Sequence, residues 1–161
     1  METRFSKRLP DTVVRELELR VPSLEIEKIV DRVKGVGLVG RIGNQPVQIK
    51  LDYSTKDPRR TVTRMQFQYE LRSEFRSLKG KHLIPKCFVP RKARRQARLA
   101  ACALQAGYTE IKRVKQGTVQ GCRAYDLRAR SGEWRVEVEV LRDGSVLEVE
   151  LDYRPTGTAS S

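Results

Sequence analysis

Between Trp134 and Tyr153 the chain alternates apolar and charged residues, and an Asp-Gly pair interrupts the alternation near its middle. Period-two alternation puts successive side chains on opposite faces of a sheet, and Asp143-Gly144 is a strong signal for a hairpin turn. Trp134–Leu141 and Val146–Tyr153 are therefore expected to pair as antiparallel strands. Residues 110–115 and 122–130 are strand-like as well, with Gly132 marking a further turn. A helix is expected over residues 90–106, because proline suits a first helical turn and Gly107 suits a helix end. Residues 81–154 thus read as a basic helix followed by a β meander.

The first half is less regular. Residues 12–21 leave helix and strand open: Val14, Glu16, Glu18 and Arg20 alternate, but Pro10 suits a helix start and Pro22 a stop. Ser23 is a good N-cap, and Leu24, Ile26, Ile29, Val30 and Val33 approximate an apolar helical stripe, so a helix is expected through about Lys34. Gly35, Gly37 and Gly40 would then form a glycine-rich turn. Residues 46–53 and 61–69 alternate as half-buried strands, joined by a turn-like segment. Residues 70–88 read as a short helix and then a basic loop. The expected fold class is α+β, with antiparallel β-sheets and one principal helix per half. Its divisions are residues 1–80, residues 81–154 and a disordered tail over 155–161. Leu9-Pro10 and Val89-Pro90 precede helix-compatible segments, and Leu51-Asp52-Tyr53 and Leu151-Asp152-Tyr153 both close strands, which raises the question of an internal duplication.

Charge is the strongest functional signal. The 161 residues carry a formal net charge of +13, and residues 81–128 hold twelve basic side chains against only Glu110 and Asp126. On a helix over residues 90–106, Ala93, Ala97, Ala100, Ala101 and Leu104 share one side, while Arg91, Arg94, Arg95 and Arg98 share the other, with Lys92 on the flank. These cations crowd the first two turns, where the helix dipole favours anions. No acid at i+4 spacing offsets them. A phosphate would satisfy both the arginines and the helix N-terminus. Lys79, Lys81 and Lys86 before the helix, and Lys112, Arg113 and Lys115 after it, are candidates to extend the patch. The expected partner is the backbone of RNA or DNA, bound without base reading, or else an acidic protein surface.

Other chemistry finds less support. Cys87, Cys102 and Cys122 form no C-x-x-C pair, so neither a zinc site nor a disulfide framework follows, and mostly buried free thiols are expected. His82 is the single histidine and lies in a basic loop without a nucleophile motif. The run from Gly35 to Gly40 matches G-x-G-x-x-G, but neither the kinase elements nor the dinucleotide-binding context accompanies it. Acids at alternate positions, Glu16 and Glu18, Glu137 and Glu139, Glu148, Glu150 and Asp152, suggest the wet face of a sheet paired with arginines, or a metal-binding wall. No catalytic residue, resident metal or cofactor is assigned. No membrane span is expected, and the charged N-terminus, lacking an apolar segment, suggests a cytoplasmic protein.

Two resemblances add to this reading. Val89-Pro90 before a helix, Ala106-Gly107-Tyr108-Thr-Glu-Ile111, Tyr125-Asp-Leu-Arg-Ala129, Gly132, Trp134-Arg-Val-Glu-Val138 and Asp143-Gly144-Ser-Val-Leu147 together resemble a PepSY-type domain over residues 89–153. That resemblance implies a non-catalytic α+β module that binds or restrains other proteins. Glu16-Leu-Glu18-Leu-Arg20, within residues 16–25, resembles the metal-binding E-x-E-x-K strand of the CYTH triphosphate-tunnel enzymes, with arginine in place of lysine. It implies metal-dependent processing of triphosphates. A phosphate-backbone binder is the leading expectation. The protein-interaction module and the triphosphate enzyme are its alternatives.

Overall fold

A computed structural model of the chain describes residues 9–54, 56–72, 74–104, 108 and 110–154. The elements follow in the order α1 (Asp11–Arg20), β1 (Leu24–Arg32), β2 (Gly35–Ile42), β3 (Gln45–Tyr53), β4 (Val62–Glu70), β5 (Lys79–Leu83), α2 (Arg91–Ala103), β6 (Glu110–Val119), β7 (Cys122–Ser131), β8 (Trp134–Leu141) and β9 (Val146–Tyr153). A short 3-10 turn at Lys86–Phe88 precedes α2. The strands neighbour one another in the order β1-β2-β3-β4 in the first half of the chain and β9-β8-β7-β6-β5 in the second. This corrects the expected balanced α+β fold: antiparallel sheet dominates the described residues, and the two helices are minor additions to it. The chain divides into two compact units, one of residues up to Tyr69 together with the chain from Asp152, the other Glu70–Leu151.

In the first unit, Pro10 opens α1, its carbonyl accepting from the amides of Val13 and Val14 at 3.0 and 3.1 Å. Val13 and Leu17, one turn apart, are fully buried. Pro22 ends the helix, so residues 12–21 resolve as helix. The expected helix over residues 23–34 is strand β1, which pairs with β2 from Leu24↔Ile42 to Arg32↔Gly35. Its register shifts between Ile26 and Lys28, so the buried positions run Leu24, Ile26, Ile29. That bulge stretches one step of a period-two pattern to three residues, which imitates helical spacing. The glycines after it form strand β2 instead of a turn. A Cβ on Gly35 would lie 1.9 Å from the Leu51 carbonyl oxygen, and one on Gly40 2.2 Å from that of Glu25. Neighbouring backbones therefore exclude any side chain at both positions. β3 and β4 form where expected and bury Val47, Ile49, Leu51, Met65, Phe67 and Tyr69.

In the second unit, β5 replaces the expected basic loop, and all five of its residues are exposed. β8 and β9 occupy the expected segments, with Gly144 at φ +95° in their turn and the Asp143 carboxylate accepting from the Ser145 amide at 2.8 Å. Ala93, Ala97 and Ala101 of α2 are fully buried, as are Val138 and Val140 of β8, against which α2 packs. Small alanines let the helix lie close to the sheet. The expected end of this helix at Gly107 and the tail over 155–161 lie outside the described residues. Each helix is followed by four antiparallel strands, but Leu51–Tyr53 ends the third strand after α1 while Leu151–Tyr153 ends the fourth after α2. Any duplication therefore lives in the order of elements and not in that tripeptide.

Candidate anion-binding site

Pro90 stands at the N-cap of α2, with no side chain capping the helix and no acid in its first turn. The amide of Arg94 is the first to reach back, to the Pro90 carbonyl at 3.1 Å. The amides before it end the helix without a side-chain acceptor, and the positive pole of the helix is open. The buried alanine stripe forces the intervening positions outward. Arg91, Lys92, Arg94, Arg95 and Arg98 are all exposed, and none forms an ion pair among the described residues.

These five cations, with Gln96, Tyr108 and Ile111, line an open groove of about 960 Å³. Lys92 and Gln96 also lie over the β8–β9 turn, where a Cβ on Gly144 would meet their side chains at 3.1 and 3.0 Å. Lys92 adds to the field that keeps the Asp143 carboxyl below its ordinary range, chiefly the work of the Ser145 amide. Burial pushes the Tyr108 hydroxyl up to about 12, so it stays protonated. No base-stacking platform accompanies the patch: Tyr125 is buried, and Phe88 alone of the nearby aromatics is exposed, at 65%.

The cations expected to extend the patch are divided by the sheet. Ile111 lines the groove and stands opposite Ala129, so the pleat turns Arg128, and Arg113 opposite it, to the other face. Lys115 stands opposite Asp126 and shares that far face. Lys81 reaches the same face from β5, its ammonium donating to Asp126 Oδ2 at 3.3 Å and Glu139 Oε1 at 3.2 Å. Lys112 is ion-paired with Glu110 at 3.0 Å. Lys86 lies near Glu110 and helps hold its carboxyl below the ordinary range, after the larger effect of Lys112. Lys79 is exposed on β5. The five helical cations line one groove, while Arg113, Lys115 and Lys81 lie on the opposite face of the sheet.

The far face carries charges that the sequence placed only in part. Glu137 and Glu139 share a face of β8 as expected, but Asp126 of β7, which completes the group, is 1% exposed. Oxygens of Asp126, Glu137 and Glu139 all lie within 4.8 Å of one another. Burial pushes the Glu137 carboxyl up to about 8, helped by a hydrogen bond to Asp126 and by its charge, although Arg128 Nε lies 3.5 Å away. Burial also raises Glu139, against the pull of Lys81. Burial opposes the charge on Lys81, yet Asp126 and Glu139 outweigh it and hold the ammonium above its usual range. An acid flanked by Tyr125 and Leu127 in an alternating run was the available clue to a carboxylate on this face. Its partner Lys81 lies far away in sequence, where no local pattern points.

Glu16 and Glu18 lie on α1, not on a strand. Two positions apart on a helix they diverge: Glu16 pairs with Arg20 at 3.6 Å, while Glu18 is exposed. The E-x-E wall that the triphosphate-tunnel resemblance implies is therefore not formed by these residues. His82 is exposed, its ring Nδ1 3.4 Å from the Gly80 carbonyl oxygen. Cys87, Cys102 and Cys122 are all exposed, correcting the expectation of buried thiols. No described helix is long and apolar enough to cross a membrane.

No protein family matches the chain, and no curated protein does. Among solved structures, it resembles that of a "putative periplasmic protein" from Bacteroides eggerthii, at 10% identity and a TM-score of 0.33, over 88% of this chain and 87% of that one. Neither resemblance read from the sequence is named there. A likeness at that TM-score carries no argument about function. The cytoplasmic location expected from the charged N-terminus is withdrawn, and no location is assigned in its place.

Proposed function

We propose that this chain is a non-enzymatic binding protein whose helix α2 engages the phosphates of a nucleic-acid backbone. One observation carries the reading: Arg91, Arg94, Arg95 and Arg98 line an open groove with no carboxylate partner among the described residues, on a helix whose N-terminus no side chain caps. Cations there oppose the helix dipole, a local cost that an anionic partner would reverse. Guanidinium forks suit phosphate oxygens, and without exposed stacking partners in the groove the contacts are sequence-independent.

Fluorescence anisotropy with labelled RNA and DNA across a salt series tests it. Affinity is expected to fall steeply with salt. Replacing all four arginines by alanine should lower the log–log slope by about three to four, near 0.7–0.9 for each lost phosphate contact. Absence of binding at low salt, or an unchanged slope in the variant, defeats the proposal.

A second reading, a protein-interaction module, is favoured by the helix-then-meander order of the second unit, which is the order the PepSY resemblance implies. Under that reading the same arginines dock on an acidic protein surface. A stoichiometric complex that persists without nucleic acid would select it.

A further inference from the structure

The far face of the second unit has unsatisfied acceptors. Lys81 takes one oxygen from each of two carboxylates, Asp126 Oδ2 and Glu139 Oε1. The remaining oxygens, Asp126 Oδ1 and Glu139 Oε2, are buried and accept no hydrogen bond. Both residues are more than nine-tenths buried, at 1% and 8% exposure. A bare buried carboxylate oxygen is costly, and native proteins supply it with a donor, a water or a cation.

A proton is the simplest remedy, and it is insufficient. Shared between Glu137 and Asp126, whose carboxyls are in hydrogen-bond contact, it serves that pair and leaves Glu139 Oε2 without a partner. A cation placed among oxygens that lie within 4.8 Å of one another contacts all three side chains at once. The charges agree. A divalent ion in place of the Lys81 ammonium, with all three carboxyls ionised and Arg128 beside them, gives a neutral group, and Glu150 adds its field from β9. The way in passes Glu137, whose side chain is 23% exposed, and Lys81, at 32%.

We infer that Asp126, Glu137 and Glu139 form a binding site for a hard divalent cation, in which the Lys81 ammonium is a tethered substitute that the ion displaces. Three carboxylates without a sulfur or imidazole ligand select calcium, magnesium or manganese over zinc or copper. Lys81 suits the substitute's role because it projects from β5, a strand with every residue exposed, and its long stem withdraws into solvent. This site is separate from the α2 groove, so it stands or falls independently of nucleic-acid binding.

Calorimetric titration of the full chain with manganese chloride at pH 7.5, after chelation and desalting, tests the inference. One ion per chain is expected, with calcium competing. Glu137→Gln, at a partly exposed position that tolerates an amide, should weaken binding at least tenfold, and Glu139→Gln should abolish it. Lys81→Met removes the competitor and should tighten binding severalfold, an outcome no surface carboxylate pair would produce. Failure of both the wild type and Lys81→Met to bind manganese at millimolar concentration overturns the site. So does binding that Glu137→Gln leaves unchanged.

Discussion

Three arginines of the first unit and the four of α2 are treated in opposite ways. In the first unit, Arg64 makes a bidentate contact with Asp152, at 2.9 and 2.7 Å, and Arg32 donates to Asp52 at 2.8 Å. Arg20 lies over the Tyr153 ring, 4.4 Å from its centre, and hydrogen bonds to the Tyr153 hydroxyl. Each of these guanidiniums is held by a geometry that uses its plane or its fork. Four arginines of α2 have no such hold. A cation locked to a carboxylate has its field cancelled within the fold, whereas one without a partner projects its field outward, where a ligand can meet it. Surface charge alone does not mark a binding face.

The comparison breaks first at Arg64. Its alanine variant leaves the Asp152 carboxylate, which is 19% exposed, with the more distant Arg154 at 4.0 Å, and should cost about 1–3 kcal/mol in urea denaturation. Arg64→Lys, which keeps the charge but loses the fork, should recover only part of that loss. A cost near zero would make this pair no different from an ordinary surface ion pair, and the contrast with α2 would lose its basis.

The far face of the second unit offers a second test through pH. The Glu137 carboxyl sits at about 8 in the folded chain, against 4.5 as its ordinary value. The folded state therefore keeps a proton that the unfolded chain releases between these values. Its contribution is complete below about 4.5, declines as pH rises toward 8 and is flat beyond. Thermal melts in chelator should show that decline, and Glu137→Gln should flatten it. An unchanged profile in the variant would assign the slope to another group.

The smallest effect belongs to the helix. Removing Arg91, Arg94, Arg95 and Arg98 together should leave stability unchanged or raise it by about 0.5–1 kcal/mol at low salt, because cations oppose the dipole there. The gain should vanish as salt screens the charges. A loss of 1 kcal/mol or more would mean that these arginines have structural partners after all, and the distinction between the two regions would collapse.

Where local pattern and local structure coincide, the chain was legible. Trp134–Leu141, Asp143-Gly144 and Val146–Tyr153 form the expected strands and turn because their alternation is unbroken. The arginine face of α2 followed from its alanine spacing. Leu24–Arg32 was misread because a bulge at one residue changes the apolar period. Gly35, Gly37 and Gly40 looked like a turn because glycine's usual role there is conformational, while here two of the three are required by the approach of neighbouring strands. Lys79–Leu83 had no period to read, since every side chain in it is exposed. The division of the basic patch between two sheet faces was illegible for a different reason: it depends on a second register shift, between Ile111 and Arg113. The group of Asp126, Glu137 and Glu139 joins two strands, and only their pairing brings it together.

Asp152 and Tyr153, which engage Arg64 and Arg20, belong to the first unit although the whole of Glu70–Leu151 precedes them in the chain. On the ribosome, at about 5–20 residues per second, the early arginines therefore emerge several seconds before their counterparts exist. The N-terminal half is the last to be completed. Truncation before Asp152 would damage the beginning of the protein as well as its end.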